Sequence, residues 1–528
     1  MNETEEKLMP RYGENRRIAD GRYDKSLAVE CVNGTFVGQK IENIISHKGI
    51  PFVGRQPIGE LRWKAPVDVT PDNGVYEAYY YGKTPVQAPG DPSALYPMGE
   101  DCLYLNVWRS DDAATKKPVI VWIYGGAFEV GGTTDPQYDC FNIVKENPEV
   151  IVVTINYRVS FLGFLHLAHL ADGRDYQDAA NLGLMDQVMA LKWVHENIAA
   201  FGGDPGNVTI WGESAGGASC TLLPLVKGSQ KYFHRVITQS GSPSQTRTAE
   251  QAMVCTDKLM EALGCKSVAD LLAVSAEKLA EVWTDLYGFF QKLGIRTFPE
   301  RDGRYLPSDT WQAYADGAAR DVVFLQGCNK DEMNTFLGVV GPDVWNAWAE
   351  SRLQEKLAQL TDREKQLVES YCADIEGPRY EATVRLFSQI MFIAPQIRLS
   401  EEQTRAGGKS YTYYYTVESA LPLIKSGHAS ELSVVFGHPE LDDFTGRAYD
   451  ATFCKTMRRM WVQFAKTGNP SLTAEQSPDG KDKQWPLYDL KDKQVMVLDE
   501  NDIHAAKEAA LKIVDWERSY FLTNYYMP

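Results

Sequence analysis

The sequence predicts an α/β fold: a doubly wound, mostly parallel sheet carrying helical insertions. Three observations predict it. Short runs rich in β-branched residues are almost continuously apolar, as central strands covered on both faces are. Helical periodicity fills the stretches between them, and strands alternating with helices imply parallel neighbours. The residues suited to chemistry fall just after the strand-like runs, where such sheets bind ligands.

In chain order, 118–124 (PVIVWIY) leads into Gly125-Gly126, and 150–156 (VIVVTIN) follows. Residues 208–211 (VTIW) run into Gly212, 235–239 (RVITQ) end at Ser240-Gly241, and 322–326 (VVFLQ) end at Gly327. The last such run is 410–415 (SYTYYY). Over 184–200, apolar residues recur at Leu184, Val188, Leu191 and Val194, and Gly202-Gly203 supplies a helix stop. Two long helical, aromatic-rich stretches, about 248–311 and 334–405, interrupt the alternation. They are expected to form a cap and pocket walls. Each of their aromatics (Trp283, Tyr287, Phe289, Phe290, Trp345, Trp348, Phe387, Phe392) is more readily explained as core. Residues 1–25 read as a charged N-terminal extension and 26–528 as a single domain with these insertions.

The chain's 528 residues are ample for a large core. With 54 basic against 71 acidic residues the net charge is −17, which repels phosphate backbones and anionic membranes. Nucleic acid and membrane are therefore not expected partners. The N-terminus lacks an apolar segment of the signal-peptide kind, and FLTNYYMP carries no lipidation signal. The nine cysteines are odd in number and scattered, with no CxxC, which points to free thiols in a reducing, cytoplasmic compartment. Cys255 and Cys265 are read as positions on one helical segment.

The strongest motif is Gly212-Glu213-Ser214-Ala215-Gly216, a G-x-S-x-G between a predicted strand and a helix-like AGGAS segment. A serine on such a turn is pushed out of the sheet, and its neighbouring glycines permit close backbone packing. The Gly-rich turn in 122–128 (WIYGGAF) suits an oxyanion loop. Together they specify the α/β-hydrolase fold, whose triad order is Ser, then Asp or Glu, then His. Of eight histidines, only His428, His438 and His504 follow the serine with room for an intervening acid. His504 lies in a charged stretch read as helical, whereas His428 sits in a loop after SYTYYY and is the best base by position. His166 and His169 have metal-like spacing but no evident third ligand, and are read as structural. Either Asp331 or Glu332, both following VVFLQGCNK, suits the acid.

These residues resemble the type-B carboxylesterases, the family of bacterial p-nitrobenzyl esterases, mammalian carboxylesterases and cholinesterases. The resemblance runs from about Val32 onward through GIPFVGRQPIGELRWKAP (49–66), EDCLYLNVW (100–108), INYRVSFLGFL (155–165) and NIAAFGGDPGNVTIWGESAGGAS (197–219). QSGSP (239–243), GCNKDEMNTF (327–336), GHASEL (427–432) and WVQFAKTGNPS (461–471) follow in family order. It implies Ser214 as nucleophile, Glu332 as acid and His428 as base, with oxyanion donors at the N–H groups of Gly126, Ala127 and Ala215. Many members have glycine where Ala127 stands. It further implies Ser240 beside the triad, structural ion pairs Arg62–Glu100 and Arg158–Asp186, and for Glu213 either electrostatic tuning or a structural part. Cys102 and Cys265 lack the partners that secreted members use, which fits a cytoplasmic bacterial enzyme. No tryptophan lies between Trp63 and Trp108 where cholinesterases stack a quaternary ammonium, so choline esters are not expected.

The resemblance implies hydrolysis of small to medium carboxylic esters through an acyl-enzyme, with no metal or cofactor and a small-molecule ester as partner. Oligomeric state is left open, with a monomer favoured. A non-catalytic recognition module of neuroligin type is the alternative, as is the same triad acting on amides, thioesters or lipid esters.

Overall fold

The computed structural model describes residues 13–293, 296–373, 375, 377–438 and 445–508. Residues 1–12 of the expected N-terminal extension and the C-terminal FLTNYYMP lie outside the described residues. The described chain forms two compact units. One comprises 13–237 and 245–313, the other 238–244 and 314–508.

The first unit is built on a sheet of β1 (Gln39–Ile41), β2 (Ile44–Pro51), β3 (Tyr104–Ser110), β4 (Lys117–Ile123), β5 (Ile151–Ile155) and β6 (Gly203–Glu213). β4 lies between β5 and β6, parallel to both, while β5–β3, β3–β2 and β2–β1 are antiparallel. Every residue of β5 is buried, as are Val119, Val121 and Ile123 on β4. Burial of successive residues on both faces is what a run such as IVVTI specifies. Helices α1 (Leu182–Asn197) and α2 (Ala215–Leu222) belong to this unit, with α1 passing into a short turn that Gly202 ends at φ 89°.

The expected insertion at 248–311 supplies α3 (Ala249–Leu263), α4 (Val268–Leu272) and α5 (Ala276–Leu293). A Thr248–Gln251 capping box starts α3, and Gly264 at φ 68° ends it. Cys265 therefore lies past the helix that holds Cys255, which corrects the reading of one segment for both. Trp283 and Phe290 are buried in one apolar cluster, as the core reading expects, while Tyr287 and Phe289 are half-buried against it.

In the second unit, β8 (Val323–Asn329), β9 (Lys409–Tyr415) and β10 (Gln494–Leu498) are parallel, and β11 (Ile503–Lys507) runs antiparallel to β10. The preceding strand, β7 (Arg235–Gln239), begins in the first unit and ends in the second. β11 corrects the helical reading around His504: none of its residues is buried, as on a solvent-facing edge strand, where charged side chains are common. The stretch expected as the second insertion, 334–405, comprises α6 (Asn334–Gln359), α7 (Asp362–Ala373), α8 (Arg379–Ser388), a π-helical turn over Gln389–Ile393, and α9 (Ala394–Arg405). Trp345, Trp348, Phe387 and Phe392 pack into a cluster of their own.

Candidate active site

The turn from β6 into α2 carries Ser214 at φ 54° and ψ −121°, a conformation costly for any residue but glycine. Close packing enforces it. A Cβ on Gly212 would lie 2.3 Å from the Gly216 carbonyl carbon, and one on Gly216 would lie 2.0 Å from the Ile123 oxygen. Helix α2 is buried throughout, and Ser214 makes no capping hydrogen bond with its side chain. Of residues 211–220, Ser214 alone is not fully buried.

The Gly-rich loop after β4 abuts this turn: a Cβ on Gly125 would stand 3.1 Å from Ser214 Cβ and 2.9 Å from a Glu213 carboxylate oxygen. Glu213 is itself 3% exposed. Gly126, Ala127 and Phe128 follow at φ 98°, 56° and 60°. Gly126 and Ala127 are half-buried, whereas Gly125, Phe128 and Glu129 are buried. Several hydrogen bonds fix the loop. The Glu129 and Val130 N–H groups donate to the Gly126 oxygen at 2.9 and 3.0 Å, and the Ser160 N–H donates to the Phe128 oxygen at 2.7 Å. Gln87 exchanges two hydrogen bonds with Gly131, at 2.7 and 2.9 Å. Just ahead of the loop, Tyr124 and Tyr157 stack at 4.3 Å and each donates its hydroxyl to the other's carbonyl oxygen at 2.8 Å. Burial pushes both phenols well above their ordinary range, so they stay neutral donors.

The second unit assembles an acid–base pair. Glu332, wholly buried, accepts from His428 Nδ1 at 2.5 Å through Oε2. A carboxylate only accepts, so a proton sits on Nδ1, and in the neutral ring the lone pair is then on Nε2. Glu332 Oε1 accepts from the Ser240 hydroxyl at 2.5 Å and from the Asn329 N–H at 2.7 Å. The His428 N–H donates to the Glu332 carbonyl oxygen at 3.0 Å, and Thr335 Oγ1 donates to the His428 oxygen at 2.9 Å. Phe392 on the π-helical turn and Phe336 on α6 flank the His428 ring, with centroids 4.6 and 5.5 Å away. Of the insertion aromatics singled out from the sequence, Phe392 therefore meets a candidate catalytic group as well as the core.

Asp331 turns elsewhere. It is 8% exposed, its Oδ2 is 3.9 Å from Lys330 Nζ, and burial raises its carboxyl above the ordinary range. His438 and His504 take no part in the Glu332 contacts; His504 Nδ1 meets Asp502 at 3.0 Å. His166 pairs with Glu300 at 2.7 Å and His169 with Asp257 at 2.9 Å.

The carboxylesterase family profile matches residues 25–514. The chain belongs to that family. It is 34% identical to the para-nitrobenzyl esterase of Bacillus subtilis (strain 168), over 90% of this chain and 97% of that one. It is 31% identical to the bile salt-activated lipase of Bos taurus, over 85% and 79% of the two. Among solved structures, a carboxylesterase of Geobacillus stearothermophilus superposes with a TM-score of 0.81 at 32% identity, over 94% of this chain and 99% of that one. A thermophilic PNB esterase gives 0.80 at 30% identity, over 94% and 100%. The protein is thus a carboxylesterase with the α/β-hydrolase fold, and its reaction is ester hydrolysis.

Both ion pairs expected from the family resemblance form: Arg62 meets Glu100 at 2.5 Å and Arg158 meets Asp186 at 2.7 Å. Sequence reasoning missed a second buried carboxylate behind the first. Glu431 accepts from Gln239 Nε2 at 2.7 Å and Asn329 Nδ2 at 2.5 Å. Both amide orientations are fixed by partners with one role only. Trp461 Nε1 donates to Gln239 Oε1 at 3.1 Å, and the Gly427 oxygen accepts from Asn329 Nδ2 at 2.7 Å. Burial, and then the charge of Glu332, raise the Glu431 carboxyl. The signal was present in GHASEL, where a glutamate follows the histidine by three positions.

Proposed function

We propose that the carboxylesterase works through a Ser214–His428–Glu332 triad and an acyl-enzyme, on small to medium carboxylic esters. Ser214 attacks the ester carbonyl while His428 takes its proton through Nε2. Glu332 holds the neutral imidazole in the tautomer with its lone pair on Nε2 and stabilises the imidazolium. The N–H groups of Gly126, Ala127 and Ala215 receive the oxyanion. The alcohol leaves with the proton from His428, and water repeats the sequence on the acyl-enzyme. Ser240 steadies Glu332 from behind. The reading needs no metal or cofactor.

The observation that carries this reading is the pattern of exposure in the first unit. Solvent reaches Ser214, Gly126 and Ala127, while the residues flanking them are buried. The hydrogen-bonded His428–Glu332 pair and the chain order Ser, Glu, His support it independently. A fluorophosphonate should label Ser214, and Ser214→Ala should abolish both labelling and nearly all turnover. An adduct mapped to another residue of the active protein refutes the assignment. A series of p-nitrophenyl esters of increasing acyl length then defines the substrate range.

A further inference from the structure

A charge pair outside the proposed chemistry grips the oxyanion loop. Glu129, two residues past Ala127 and 5% exposed, receives the Arg296 guanidinium on its carboxylate at 2.6 Å. Arg296 follows α5 in the first helical insertion and lies over the Tyr287 ring at 5.2 Å. An apolar contact runs alongside: Phe128 meets Phe298 edge-on at 5.7 Å and Phe164 at 5.2 Å. The segment bearing Arg296 is itself anchored by Arg247. Arg247 Nη1 donates to the Arg296 oxygen at 3.0 Å and Nη2 donates to the Phe164 oxygen. The Arg247 N–H donates to the Pro299 oxygen at 2.9 Å, and its carbonyl accepts from the Arg301 N–H at 3.0 Å.

The position of this grip matters because Ala127 and Phe128 stand consecutively at φ 56° and 60°. Left-handed backbone is costly for a non-glycine residue, so two in succession persist only where the surroundings over-determine them. Glu129 is the next residue, and no other side chain of 125–131 carries charge. A buried carboxylate deprived of its cation is strongly driven to find water. It would pull the strained residues with it.

We propose that Glu129 and Arg296 are a positioning pair that holds the Gly126 and Ala127 N–H groups in register for the oxyanion. The helical insertion thereby sets donor geometry. This rests on the assignment of Gly126 and Ala127 as oxyanion donors. Neither side chain touches the reacting atoms.

The test compares wild type with Glu129→Gln, Arg296→Gln, Arg296→Lys and the Glu129→Gln/Arg296→Gln double variant. Each is assayed for kcat and KM on p-nitrophenyl butyrate. Each is also assayed for inhibition by an alkyl trifluoromethyl ketone, which adds to the serine hydroxyl and sets an oxyanion among the donors. Loss of register should cost each single glutamine variant about 10- to 100-fold in kcat, less than outright loss of a donor. KM should move less than about threefold, and ketone affinity should fall in step with kcat/KM. The double variant should lose no more than the worse single one, because no charge is stranded. Arg296→Lys, which keeps the charge and loses the fork, should lie between and gives the same readout if a glutamine variant does not fold. Folded variants that keep kcat, or that lose activity while binding the ketone as tightly as wild type, overturn the pairing alone. A wild-type enzyme indifferent to the ketone overturns the donor assignment beneath it, and the pairing with it.

Discussion

Asp331 and Glu332 are adjacent, both acidic and both buried, yet their surroundings separate them. Glu332 has three donors on its carboxylate, one of them the His428 ring, whereas Asp331 turns toward Lys330. Glu332→Gln keeps the shape and removes the charge opposite the imidazolium. Its amide can also stabilise the wrong tautomer. A loss of several hundred-fold in kcat is expected, on the order of 4 kcal/mol. Asp331→Asn should cost far less turnover. Steady-state kinetics on one short-chain ester, with circular dichroism to confirm folding, separates the two. A crippled but folded Asp331→Asn beside an active Glu332→Gln reverses the roles. The choice between these residues was legible in the sequence only through the family resemblance, because neighbours leaving a strand point to opposite sides and the strand alone does not say which side matters.

Among the elements, the turn from β6 to α2 tolerates little change. Gly216→Ala places a methyl group 2.0 Å from the Ile123 oxygen, a backbone atom of the buried strand β4 that cannot swing aside. The variant should lose more than about 3 kcal/mol of stability, or fail to fold, as over-packing against a rigid partner does. Denaturant melts measure this, and a loss below about 1 kcal/mol refutes the rigidity argument. The same burial explains which strands could be read in advance. β4, β5 and β8 announce themselves through continuous apolar runs. β3 does not, because it carries Asn106 in its middle. That side chain is satisfied inside the sheet by the Thr154 hydroxyl at 2.9 Å and the Gly49 N–H at 2.9 Å. Ser214 and the Gly-rich loop were readable for a local reason, each sitting in a short motif whose chemistry depends on adjacent residues, whereas His428 was picked out by its place in the chain order. The Glu129–Arg296 and Gln239–Glu431 contacts join residues 167 and 192 positions apart, and no local pattern marks them.

For the whole molecule, acid stability is set in part far from the chemistry. His47 is fully buried against Phe201, donates from Nε2 to the Leu27 oxygen at 2.9 Å and leaves Nδ1 without a partner. Burial, and then the charge of Arg109, hold its pKa down to about 3 from an ordinary 6.5. Between those values the unfolded chain takes up a proton that the folded chain refuses. Its contribution to stability is therefore whole above pH 6.5 and is lost as pH falls toward 3, at about 1.4 kcal/mol per pH unit. His47→Gln retains a donor for Leu27 and should flatten that slope. Urea melts from pH 7.5 to 5 compare the two, and parallel slopes refute the assignment. All nine cysteines are free thiols, so reductant should leave the melting temperature unchanged; a drop would reveal a bond that this arrangement does not contain. The division of the chain has a further consequence for anyone who wishes to cut it. The stretch Thr238–Ser244, which carries Ser240, belongs to the second unit although both its flanks belong to the first. No single scission yields one clean module. A fragment ending at Ala313 retains a seven-residue tongue whose Ser240 N–H has its acceptor, the Gly327 oxygen, on the other piece. A cut at 313/314 therefore separates that donor from its acceptor.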